Sequence, residues 1–101
     1  MKRKVSFMFV NAANVEPKRV VIDLGEGGEM IVVGVKDYAM ACEQAKLLAD
    51  EGVLMIELCG GFGTLGHAEV VKAVEGKCQV GVVRFDNHPG YANLSGDTKW
   101  F

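Results

Sequence analysis

Glycine is concentrated in one short segment, residues 59–67, which we call the glycine loop. Four of the 13 glycines lie between Gly60 and Gly66, directly after the apolar run Val53–Cys59. Glycine lets the backbone approach a ligand closely, and a helix beginning near Leu65 would add free amides and a dipole that favour an anion. The segment predicts a site for a small anionic ligand, with a tight turn that needs glycine only for its geometry as the alternative. The expected ligand-binding residues are Gly60, Gly61, Gly63, Thr64, Gly66, Arg84 and Asp86.

Cys59 stands just before these glycines and is a candidate nucleophile. A nearby helix N-terminus lowers the pKa of a thiol and makes it reactive, and His67 or His88 would serve as its base. His67 lies in the predicted first helical turn, where the dipole keeps an imidazole neutral and suited to a hydrogen bond with a ligand. A buried apolar cysteine and a surface histidine are the alternatives, and free cysteines are often buried.

Glu57 is the charged residue within an otherwise apolar strand and is a further catalytic candidate. Strict alternation places it on the same face as Val53, Met55 and Cys59. A carboxylate near the end of a strand would act as a general acid or base. Pairing with Arg84 on the next strand is favoured, because a buried carboxylate needs a partner. Exposure at a subunit contact is the third interpretation.

Gly61–Gly66 also matches the dinucleotide-binding pattern G-x-G-x-x-G between a predicted strand and a predicted helix. Asp86 follows about 20 residues later, as that pattern requires. Only one further strand and a polar tail follow, so the second mononucleotide-binding half is missing. The cysteines and histidines lack the spacing of zinc ligands. We therefore expect no metal, assign no cofactor, and keep a dinucleotide-binding fragment as an alternative.

Composition excludes several classes of protein. The 101 residues fit a single domain, 1–101, since one domain commonly takes about 100–200 residues. Half of them are hydrophobic, which excludes disorder as the main state, and a net charge of −2 argues against a nucleic-acid partner. No apolar run approaches the roughly 20 residues that span a membrane. Val5–Val10 is too short for a signal peptide, so we expect a cytoplasmic protein.

Almost continuous apolar runs predict four strands of a sheet. They are Val5–Val10, Met30–Val35, Val53–Cys59 and Val80–Val83. Such runs are typical of parallel strands covered on both faces, and a shorter run at 20–24 predicts an antiparallel edge hairpin. Helices are predicted over about 37–51 and about 65–75, where an N-cap or a glycine frames an apolar stripe. The expected fold class is α/β, a small, open, mostly parallel sheet of about five strands with two main helices.

The candidate residues collect at one edge of this predicted sheet. In open α/β sheets ligands bind outside the carboxyl ends of the strands, and Cys59, Arg84 and both histidines follow strands there. A turn at 88–90 would fold the polar tail over the pocket as a lid. Because exposed aromatic residues are unusual, Trp100 and Phe101 are expected to dock on the sheet or on a neighbouring subunit. We expect a homo-oligomer, with a dimer favoured.

Three segments of the chain resemble a known family. They are Val33–Tyr38, Ile56–Gly63 and Val80–Asp86. They are similar to segments of a small, uncharacterised prokaryotic family of domains of unknown function, about as long as this chain. The resemblance runs from the first strand to Gly90 and implies that the glycine loop and residues 84–86 belong together. It transfers no catalytic residue, and it disfavours a truncated dehydrogenase.

These observations favour one function over two alternatives. The favoured function is binding of a small anionic ligand at the glycine loop, with the reaction unassigned. The first alternative is a non-catalytic module that forms homo-oligomers or binds a partner, in which the glycine loop is only architecture. The second is the dinucleotide-binding fragment.

Overall fold

A five-stranded sheet carries the fold. The computed structural model describes residues 3–101, and its strands are β1 (Arg3–Val10), β2 (Lys18–Gly25), β3 (Gly28–Val35), β4 (Val53–Leu58) and β5 (Gln79–Val82). Their order across the sheet is β2-β3-β1-β4-β5, so β1 lies at the centre. Among the described strands only β2 and β3 pair antiparallel. The predicted small, mostly parallel α/β sheet with an antiparallel edge hairpin is confirmed.

Two long helices connect the parallel strands, and two short helices follow them. They are α1 (Tyr38–Asp50), α2 (Thr64–Val74), a 3-10 helix (Pro89–Tyr91) and α3 (Gly96–Trp100). The Asp37 carboxylate caps α1 by accepting a hydrogen bond from the Met40 amide at 2.9 Å. Within residues 3–101, no helix has the length and apolar character needed to cross a membrane.

Both long helices lie on the same face of the sheet. The β3–α1–β4 and β4–α2–β5 connections step in the same direction across the sheet, and right-handed crossovers then place both helices on one side. Helix α1 packs directly against α2. The core lies between this helix layer and the sheet and includes Met8, Val33, Ala41, Leu48, Ile56, Leu58, Val70 and Val74.

The opposite face of the sheet carries no helix in the part of the chain that the structure describes. Along β1, Met8 is buried beneath the helices, whereas Phe7 and Phe9 lie on the other side and are partly exposed. The registers align Phe7 with Val32 and Val32 with Val20, which is 61 % exposed. We call this surface the open face, and it comprises Arg3, Val5, Phe7, Phe9, Lys18, Val20, Ile22, Met30, Val32, Met55 and Glu57.

The expectation that the strands are covered on both faces is therefore wrong. The apolar runs are continuous because both faces of the central strands carry apolar side chains, but only one face packs against helices. Strand β2, at the edge of the sheet, is covered on neither face, since all eight of its residues are exposed.

Strand β4 contains a β-bulge that changes which of its residues face the helices. Between its pairs with β1 at Val53 and Ile56, β4 uses one residue more than β1 does. An extra residue interrupts the alternation of side chains. Val53 and Ile56 are both buried, and Leu54 between them is 55 % exposed. The prediction that Val53 shares a face with Met55 and Glu57 is wrong for this reason.

Two alanine substitutions test the register of β4. Ile56→Ala removes a fully buried side chain and is expected to lower the free energy of unfolding by about 2–5 kcal/mol. Leu54→Ala removes an exposed side chain and is expected to change it by less than about 1 kcal/mol. Without the bulge, strict alternation would place Leu54 and Ile56 on the same face of the sheet. Urea unfolding followed by circular dichroism measures both values, and a similar loss for the two variants would contradict the register.

Candidate functional site

The glycine loop connects β4 to α2, and residues 86–101, which we call the tail, fold back over it. Residues 60–63 of the loop are all buried. The packing is close, because a Cβ atom added at Gly63 would overlap the carboxylate of Asp97, and one at Gly61 would crowd the hydroxyl of Tyr91. The tail is therefore in direct contact with the glycines of the loop.

A carboxylate lies at the N-terminus of α2, and it belongs to the chain itself. Asp97 of α3 accepts hydrogen bonds from the Leu65 amide at 2.9 Å and from the Gly66 amide at 3.1 Å. These are free amides of the first helical turn, where the helix dipole also favours a negative charge. The amide groups that the sequence assigns to an anionic ligand therefore hold Asp97 in this structure.

Tyr38 completes this arrangement and ties the glycine loop to α1. Its hydroxyl donates a hydrogen bond to Asp97 Oδ1 at 3.0 Å and accepts one from the Gly63 amide at 2.9 Å. Its ring stacks on Phe62 with the ring centroids 5.3 Å apart. Burial raises the pKa of the Tyr38 hydroxyl, and the neighbouring Asp97 raises it further, so the phenol stays protonated and donates.

Neither Asp97 nor Tyr38 is predicted as a site residue from the sequence. They lie 31 and 25 residues from the loop amides that they bind. An aspartate two residues after Ser95, whose hydroxyl caps α3 by accepting from the Asp97 amide, gives no local sign of a partner in another helix. Gly66 is an indirect sign of Tyr38 in the sequence, because a Cβ atom at this position would overlap the tyrosine ring.

The four catalytic candidates do not come together in one site. Glu57 lies on the open face, whereas His67 lies on the helix side and donates through Nε2 to the Val80 carbonyl at 3.0 Å. The sheet separates these two side chains. Cys59 Sγ accepts from the Gly61 amide at 3.3 Å, and His88 Nδ1 accepts from the Gly90 amide at 3.0 Å. Within residues 3–101 no hydrogen bond joins any two of the candidates.

The remaining predicted site residues lie at the surface. Arg84 Nε donates to Asp86 Oδ1 at 2.9 Å, and both side chains are more than half exposed. The predicted pairing of Arg84 with Glu57 is therefore wrong, because Glu57 lies on the open face and the guanidinium binds the nearer carboxylate two residues on. Thr64 is exposed and makes no capping hydrogen bond, and Gly63 occupies the N-cap position of α2.

Aromatic side chains of the tail pack over the edge of the sheet. The His88 ring stacks on Tyr91 at a centroid distance of 4.3 Å. Trp100 Nε1 donates to the Tyr91 hydroxyl at 3.1 Å, and the Trp100 ring packs against the core of its own chain, whereas Phe101 is 68 % exposed.

A cleft of about 270 Å³ lies beside Trp100, between α1, α2 and α3, and is lined by Tyr38, Ala39, Cys42, Glu69, Trp100 and Phe101. No group of three or more His, Cys, Asp or Glu residues within 3–101 is arranged to hold a metal ion.

The fold and this edge together define a small α/β domain whose strand–helix glycine loop is closed by a carboxylate from a following helix. A family model described as a family of unknown function (DUF6506) matches residues 3–98, and the chain belongs to that family. This match confirms the resemblance to an uncharacterised domain family. No curated protein and no solved structure matches the chain.

Removing the Asp97 carboxylate is expected to destabilise the domain. Asp97→Ala leaves two helix amides and the Tyr38 hydroxyl without their acceptor, and we expect a loss of about 1–3 kcal/mol in the free energy of unfolding. Tyr38→Phe is expected to cost about 1–3 kcal/mol, because the buried Gly63 amide loses its acceptor. Since the two groups share a hydrogen bond, the double variant is expected to lose less than the sum.

Urea unfolding of the four proteins of this double-mutant cycle measures the coupling. Asp86→Ala is the matched control, because it removes an exposed carboxylate of the same edge and is expected to change stability by less than about 0.5 kcal/mol. Equal losses for Asp97→Ala and Asp86→Ala would show that the α2 amides do not depend on Asp97.

Proposed function

We propose that this domain is a non-catalytic interaction module that binds a macromolecular partner through the open face. The observation that carries the proposal is the apolar, helix-free face of the five-stranded sheet. Val20, Ile22 and Met55 on this face are 61, 47 and 39 % exposed. Contiguous apolar surface of this kind marks interaction sites in soluble proteins.

The residue types of the open face also suit protein recognition. Phenylalanine and methionine are enriched in protein interfaces relative to the rest of the surface, and the face carries Phe7, Phe9, Met30 and Met55. Charged residues are depleted at the centre of interfaces. Glu57 is the acidic residue of the open face and lies toward the β5 side of it, beside Gly81.

The state of the catalytic candidates supports the non-catalytic form of this proposal. A nucleophile and its base must lie within hydrogen-bonding reach of each other. Cys59 and both histidines instead bind backbone groups of different segments. Side chains of this chain fill the space beside the glycines that suggested a ligand pocket. This packing supports an architectural role for these glycines.

A photo-crosslinking side chain on the open face tests this function. Replacing Phe7 with p-benzoylphenylalanine and irradiating the cells that produce the protein is expected to give a covalent adduct. The matched control carries the same group at Val71, an apolar residue of α2 that is 45 % exposed on the other side of the molecule. Gel mobility and mass spectrometry identify the adducts. No adduct from position 7, or equal adducts from both positions, would contradict the proposal.

A second candidate function is binding of a small anionic ligand at the glycine loop. It is favoured by one specific observation: the Leu65 and Gly66 amides already hold a carboxylate, that of Asp97. An external carboxylate or phosphate that displaced Asp97 would receive the same amide hydrogen bonds, together with the Tyr38 hydroxyl. In this function the tail acts as the lid, and it opens when the ligand replaces Asp97.

Anion titration of Asp97→Ala tests this second function. With the internal carboxylate gone, inorganic phosphate or acetate is expected to shift the NMR signals of the Leu65 and Gly66 amides in a saturable way, because the helix N-terminus regains an anion. Asp86→Ala is the control and is expected to show no saturable shift at these amides. If Asp97→Ala remains folded and its amides do not respond, the anion-binding function is wrong.

A further inference from the structure

We infer that the partner of the open face is a second copy of this chain, packed face to face about a two-fold axis parallel to the strands. This inference rests on the proposed function and names its partner. Two-fold dimers are by far the commonest oligomers, and in them one surface must be complementary to itself. The open face meets this requirement in area and in charge.

The area of the open face reaches what a specific dimer needs. Five strands spaced about 4.8 Å apart give a width of about 24 Å, and six residues at about 3.3 Å each give a length of about 20 Å. The face therefore offers about 500 Å² per copy, and two copies would bury about 1,000 Å², which is the size that a biological interface is expected to exceed or match. Side-chain relief adds to this projected area.

Two charged residues of the open face, Lys18 and Glu57, lie on opposite sides of its apolar centre, and a third, Arg3, lies at the rim where β1 begins. Lys18 is on β2, opposite Gly34 and thus at the level of Phe9, and it is exposed. Glu57 is on β4, at the level of Phe7, and it too is exposed. Neither side chain forms a hydrogen bond or an ion pair with the residues that the structure describes. A positive and a negative group thus flank the two phenylalanines.

This charge pattern selects the direction of the two-fold axis. Because β1 is central, an axis above it and parallel to the strands places β2 of one copy over β5 of the other, next to β4. Lys18 of each copy then lies about one strand spacing sideways and about two residues along from Glu57 of the other, across sheets about 10 Å apart, a separation that the extended lysine and glutamate side chains bridge together. The apposition occurs twice by symmetry. An axis perpendicular to the strands would instead place Lys18 over the opposite end of the neighbouring β2, three strand spacings away from Glu57 of the other copy.

Edge-to-edge pairing of two β2 strands is disfavoured by the features that protect this edge. Charged residues and bulges are the usual means of blocking such pairing. Arg19 makes two hydrogen bonds of 2.7 Å to Glu51 at the end of α1, and the register shifts between Asp23 and Gly25. The open face has no comparable protection at its centre.

Sedimentation of purified variants tests the dimer. The unmodified protein is expected to be a dimer at micromolar concentration, and Val32→Lys, at the centre of the face, is expected to weaken dimerisation by about 100-fold or more. Val71→Lys adds the same charge at an exposed apolar position of α2 and is expected to remain dimeric. Circular dichroism confirms that each variant is folded.

Charge reversal tests the direction of the axis. Lys18→Glu and Glu57→Lys are each expected to weaken the dimer by about tenfold, because each places like charges together, and the double variant is expected to restore it. Failure of the double variant to recover overturns the proposed axis. A folded monomer at high concentration overturns the dimer altogether. The crosslink from position 7 distinguishes failure of the dimer from failure of the proposed function. An adduct of twice the chain mass supports both the dimer and the interaction module. An adduct of another mass refutes self-association but still supports the interaction module.

Discussion

Two right-handed crossovers that run in the same direction determine which surfaces of this protein are covered. Both parallel connections in the helical half move away from β3, the first by two strand positions, past β1 to β4, and the second by one, to β5. Had one crossover run back, its helix would lie on the other side of the sheet. The chain instead places its whole helix layer on one side, and the apolar residues of the other side remain available for contact. The core, the open face and the position of the tail all follow from this arrangement.

The glycine loop shows how an anion-binding geometry can serve the architecture of a domain. The N-terminus of α2 has unpaired amides and a favourable dipole, so it needs an acceptor wherever it is shielded from water. Asp97 supplies that acceptor from the tail, and Tyr38 supplies a further donor from α1. One carboxylate thereby joins three helices that contact the same loop. Glycine is required at these positions because the side chains that converge there leave no room for a Cβ atom.

Much of the fold follows from local patterns in the sequence, and the site does not. Apolar runs located the strands, and the helix predicted from about residue 37 begins where Asp37 caps α1. The bulge in β4 has no glycine or proline to announce it, so alternation failed at Val53. An apolar sheet face has the same pattern whether helices or another molecule cover it. Asp97 was missed because its contacts with the loop depend on how the tail folds back, which no local pattern encodes.

The central position of β1 also has a consequence during synthesis. Strand β1 is made before both of the strands that pair with it, and the last residue of β4 follows that of β1 by 48 positions. At roughly 5–20 residues per second, β1 waits about 2–10 s for its second neighbour. Throughout that interval a strand that is apolar on both faces is open to aggregation on the ribosome. Arg3 and Lys4 sit directly before this apolar stretch, where positive charges act as gatekeepers against premature association.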